Sequence, residues 1–83
     1  MPYIPQDYRK WIDEGLEVAE IRSAGDLNYA ITKLCVDYID VRKLSYDNLN
    51  EVMGVLASAQ AEFYRRKVAP YEDTKITQNG DVY

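Results

Sequence analysis

The sequence predicts an all-α domain: three helices, an extended N-terminal arm and an irregular C-terminal tail. Three observations carry this. Apolar residues recur at three- and four-residue steps along three successive stretches, and helix start and stop signals bracket those stretches. The third observation is size, since 83 residues suffice for one small domain, residues 1–83, and no more.

The arm carries Pro2 and Pro5 and begins extended. The first helix is expected over about 8–24. Ile12, Leu16, Val18 and Ala19 face inward there, and Asp13, Glu14, Glu17 and Glu20 face water. Gly15 weakens it by about 1 kcal/mol relative to alanine. Gly25 sits where a left-handed C-cap is cheap, and Asp26 reads as the N-cap of a second helix over about 26–43. Leu27, Ala30, Ile31, Leu34, Tyr38 and Val41 form its apolar face, and Arg42 and Lys43 complement the dipole in its last turn. Ser45 caps the third helix, over about 46–68. Its stripe is Leu49, Val52, Met53, Leu56, Ala59 and Phe63, and its length is about 34 Å. Pro70 ends that helix. The tail, 69–83, contains the turn signal Asn79-Gly80 and is expected to be extended and docked by Tyr71, Ile76, Val82 or Tyr83.

Composition excludes several functions. Histidine is absent and Cys35 is the only cysteine, so a disulfide framework, the usual zinc patterns and a His-activated nucleophile all fall away. No catalytic residue, metal or cofactor is assigned, and the chain reads as a binder, not an enzyme. A net charge of −4 argues against duplex nucleic acid as partner. No apolar run approaches the ~20 residues of a membrane span, and the N-terminus lacks a signal-peptide pattern. With one reduced thiol, the expectation is a cytoplasmic protein.

Three constellations remain. Gly54, Ala57, Ser58 and Ala61 make a small-residue face on the third helix, where two backbones can approach closely. It serves either packing within the chain or a helix–helix contact between subunits. A three-helix core is thin, and small domains often supplement theirs by homo-oligomerising. Tyr64, Arg65, Arg66 and Tyr71 bring aromatics and cations together. They either complement a helix C-terminus or hold an anion by guanidinium forks with tyrosine stacking, which makes a small nucleotide a candidate ligand. Asp13, Glu14, Glu17 and Glu20 are spaced for one helical face, and a solvated surface explains them better than a magnesium site.

The start Met1-Pro2-Tyr3-Ile4-Pro5-Gln6, the middle Gly25-Asp26-Leu27-Asn28-Tyr29-Ala30-Ile31-Thr32, the run from Glu62 to Asp73 and the end Asn79-Gly80-Asp81-Val82-Tyr83 are distinctive. Together they resemble a family of small uncharacterised proteins of bacteriophages, prophages and some bacteria, over almost the whole chain. The resemblance implies a mobile-element setting in the host-cell cytoplasm and an accessory protein that acts by binding. One version sequesters a small nucleotide signal of host defence where subunits meet. An alternative is an inhibitor or adaptor of a host protein, and a metal-dependent nucleotide hydrolase is the weakest of the three. Eight tyrosines fit surfaces that meet something, because tyrosine gives contact area at low entropic cost.

Overall fold

A computed structural model describes residues 3–17 and 20–83. Met1, Pro2, Val18 and Ala19, the last two expected on the inner side of the first helix, lie outside the described residues. The elements are α1 (Gln6–Leu16), α2 (Ala24–Arg42), α3 (Tyr46–Phe63), a π-helical turn (Tyr64–Val68) and α4 (Ala69–Asn79). The all-α class is as the sequence implies.

Several boundaries differ from expectation. Pro5 is the N-cap of α1, in the extended conformation a proline favours, and its carbonyl accepts from the Arg9 N–H at 3.0 Å. The helix therefore starts two residues early. It closes at Leu16, with Glu17 as C-cap, and the segment Glu20–Ser23 is not helical. The expected helical array from Glu17 to Glu20 is thus not formed, and Glu20 instead accepts from Arg22 at 2.7 Å. Gly25 is not a C-cap: it lies inside α2, and the true N-cap is Ser23. The Ser23 hydroxyl accepts from the Asp26 N–H at 3.0 Å, while the Asp26 carboxylate accepts from the Arg22 N–H at 3.2 Å. Asp26 is the returning half of a capping arrangement, so it belongs three residues inside the helix.

A tight link joins α2 and α3 into an antiparallel hairpin. Lys43 takes φ 121°, ψ 142°, Asn48 Nδ2 donates to its carbonyl at 2.9 Å, and Ser45 caps α3 by accepting from the Asn48 N–H, as its sequence position implies. Glu51 accepts from Arg42 at 3.4 Å and from the Tyr38 hydroxyl at 3.5 Å, and Arg42 lies over the Tyr38 ring at 5.6 Å. Lysine at this φ is strained, and only a glycine would hold it freely. Lys43→Gly is expected to stabilise the protein by about 1 kcal/mol, strain relief outweighing the entropy glycine adds to the unfolded chain. A thermal melt should rise by about 4–8 °C. An unchanged or lower melting temperature would show that the turn holds no strain.

The expected irregular tail is wrong: residues 69–79 are helical, and Pro70 sits at the start of α4. In an α-helix the Pro70 ring would press on the carbonyl of Arg66 four residues back. The π turn removes that conflict by inserting one residue, its closing bond running from the Ala69 N–H to the Tyr64 carbonyl. The helix therefore runs through the proline and stops at Gly80, whose φ of 88° ends it. The Asn79-Gly80 signal marks this stop. Eighteen, five and eleven residues in continuous helix make a rod of about 51 Å, and the longest dimension of the molecule is 49 Å.

The rod has no core around it. No described residue is buried, and the accessible surface is 7679 Å². A compact chain of this mass exposes about 5,100 Å². The radius of gyration is 16.5 Å, against about 12 Å for a compact domain of this length. Among the described residues α3 packs on α2, and α1 packs on none of the other helices.

Candidate functional site: the cation cluster and the open helix faces

Glu62 closes the last full turn of α3, so residues three and four positions on, Arg65 and Arg66, return to its side. Its Oε1 accepts from Arg65 Nη2, lies 3.3 Å from Arg66 Nε and accepts from the Tyr3 hydroxyl at 3.1 Å. The Glu62 side chain is 24% exposed, while both arginines remain open to solvent. The Arg65 hydrogen bond, followed by the Tyr3 bond and the charges of both arginines, holds the Glu62 carboxyl below its ordinary range. Its contribution is present above the ordinary carboxylate pKa and is lost as pH falls through the lowered value. Tyr3 and then Glu62 hold Arg66 in its charged form. Two guanidiniums against one carboxylate leave a unit of positive charge uncompensated at an exposed site.

The four residues read from the sequence as one ligand site divide over the rod. Arg65 and Arg66 gather at Glu62. The Tyr64 hydroxyl donates to Glu72 Oε1 at 2.7 Å, across the π turn. That tyrosine lines a groove of about 520 Å³ with Glu72, Asp73, Lys75, Ile76 and Asp81. Its three carboxylates against one lysine make that groove unsuited to an anion. Tyr71 carries Lys75 over its ring at 5.4 Å. The aromatic beside the guanidiniums is instead Tyr3, 59 residues before Glu62 in sequence, a pairing that local spacing does not reveal. The Glu62–Arg65 and Glu62–Arg66 spacings were visible in the sequence.

The Glu72 carboxylate pushes the Tyr64 phenol above its ordinary value, since ionisation would break the hydrogen bond and set two negative charges together. The stabilisation is therefore present below the ordinary phenol pKa and lost as pH rises through the raised one. Glu72→Gln is expected to lower the Tyr64 phenolate transition in an ultraviolet pH titration. An unaltered titration curve would show that the pair does not form.

The small-residue face is open. Gly54, Ala57 and Ala61 are exposed and Ser58 is half-buried, and a Cβ added at Gly54 would meet nothing within 4 Å. Beside it Met53 is 65% and Phe63 63% exposed. A second groove, apolar and about 270 Å³, runs between α2 and α3, lined by Leu34, Cys35, Tyr38, Glu51, Val52 and Val55. Cys35 is a free, half-buried thiol. Among the described residues no group of three or more His, Cys, Asp or Glu side chains is placed to hold a metal. None of the helices there is long and apolar enough to cross a membrane.

A small helical rod with open apolar faces and an exposed pair of guanidiniums is the class of protein these features define. The chain belongs to the family described as Domain of unknown function (DUF6899), matched over residues 1–82. No curated protein and no solved structure matches it.

Proposed function

We propose that the chain works as a subunit of a helical homo-oligomer that binds a small phosphate-bearing ligand, a nucleotide by class, without turning it over. Arg65 and Arg66 hold the phosphate, Tyr3 lies beside them, and a neighbouring subunit meeting α3 at Gly54, Ala57, Ser58 and Ala61 completes the enclosure. The observation that supports the ligand is the pair of guanidiniums sharing the single Glu62 carboxylate in an otherwise acidic chain. Glu62 orients the forks and leaves them one positive charge in excess. The absence of any buried described residue supports the oligomer.

In the mobile-element setting that the sequence resemblance implies, the ligand is a nucleotide signal of host defence, and binding removes it from its receptor. Capture of a host protein is the second reading, and it draws on the same exposed apolar residues. Native mass spectrometry of protein purified from host cells, compared with its denatured mass, tests the proposal. An assembly carrying extra mass that denaturation releases supports it. An oligomer that stays bare when offered cyclic and linear nucleotides removes the nucleotide and favours the host-protein reading.

A further inference from the structure

Helix α1 is a short amphipathic segment against which, among the described residues, no other helix packs. Tyr8, Trp11, Ile12 and Leu16 recur at three- and four-residue steps and share a face. Tyr8 and Trp11 meet edge to face, with ring centroids 6.0 Å apart, and Trp11 is 70% exposed. The apolar groove between α2 and α3 lies equally uncovered.

We propose that α1 of a second copy of this chain fills the α2–α3 groove, so that subunits exchange their first helices. This rests on the homo-oligomer reading above and states how the assembly is built. Area argues for it. The chain exposes about 2,600 Å² more than a compact protein of its mass, whereas a standard interface covers only about 800 Å² per partner. One patch on α3 cannot cover that excess, so further faces are buried on assembly. Chemistry argues for it as well. The groove walls are Leu34, Cys35, Tyr38, Val52 and Val55, matching an aromatic and aliphatic helix face. Glu51 also lines the groove, and beyond its bonds to Arg42 and Tyr38 its carboxylate has lone pairs left for the donors on α1, the Trp11 indole N–H and the Tyr8 hydroxyl.

The test uses the full chain, whose only native cysteine, Cys35, sits in the groove. Tyr8→Cys, Ile12→Cys and Leu16→Cys each add one thiol to the apolar face of α1, and Lys10→Cys adds one to the opposite face. After mild oxidation, at least one of the first three is expected to form a disulfide with Cys35 of another chain, found by mass mapping of a covalent dimer, and Lys10→Cys is not. The unmodified protein provides the independent readout. Acrylamide quenching of Trp11, the only tryptophan, should fall severalfold as concentration rises through assembly. An oligomer in which the bond forms within one chain or not at all, or in which Trp11 stays as quenchable as free indole, overturns the exchange and leaves the homo-oligomer standing. A monomer by sedimentation at all concentrations overturns both.

Discussion

Tenfold dilution is expected to lower the melting temperature of this protein by about 4 °C if it is a dimer, and by up to about 9 °C for a larger closed assembly. These figures follow from RT ln 10 per association step set against about 0.7 kcal/mol of unfolding enthalpy per residue. The reason lies in burial. A compact small domain is held by apolar surface removed from water, at about 25 cal/mol per Å². Here Leu34, Val41, Met53 and Phe63 all stay exposed in the single chain, so in the proposed homo-oligomer that contribution arises when chains meet. In the proposed homo-oligomer, folding and assembly form one equilibrium, with stability set by protomer concentration. Calorimetry or circular dichroism melts over two decades of concentration check this. A melting temperature independent of concentration would show that the single chain is self-sufficient. Ala57→Glu sharpens the test: it places a charge on the open small-residue face of α3, at a residue exposed in the single chain. Burying an unpaired charge between helices costs several kcal/mol, so the variant should sediment as a smaller species and melt lower. Ala57→Ser should do neither.

Arg65→Ala and Arg66→Ala are each expected to weaken a nucleotide by about 10- to 100-fold, because a hydrogen bond to a charged group contributes about 1.5–3 kcal/mol. Both side chains are exposed and their partner is Glu62, so neither is needed to hold the rod together. The assembly mass should therefore stay unchanged. Calorimetric titration alongside native mass spectrometry separates the outcomes. Loss of affinity with an intact assembly makes the arginines ligand groups. Intact affinity, or collapse of the assembly, makes them structural. Affinity should also fall with added salt, since the site is open to solvent and screened within about 10 Å at 0.1 M.

Much of the secondary structure was legible because its signals are local. The three- and four-residue periodicity fixed α2 and α3, and Ser45 caps α3 through a neighbour three residues on. Local signals misled where two of them competed. Asp26 and Ser23 can each cap a helix, and geometry gave the role to Ser23, with Asp26 reaching back. Pro70 reads as a helix end, because a sequence does not announce that a π turn will widen the backbone ahead of it. The proposed ligand site was legible only in part. Arg65 and Arg66 were evident as cations, but the turn of the helix sends Tyr64 to Glu72 and leaves Tyr71 to Lys75.

By itself, then, the sequence determined that this protein is helical and lacks the histidine and cysteine sets of common catalytic and zinc sites. Those properties follow from composition and from periodicity within a few residues. The tertiary structure alone decided that the apolar surface stays outside, that the last two helices fuse into one rod, and that Tyr3 joins Glu62, Arg65 and Arg66. The physical reason is range: capping and helix periodicity act over one turn, whereas burial and the meeting of Tyr3 with Glu62 depend on where whole helices lie.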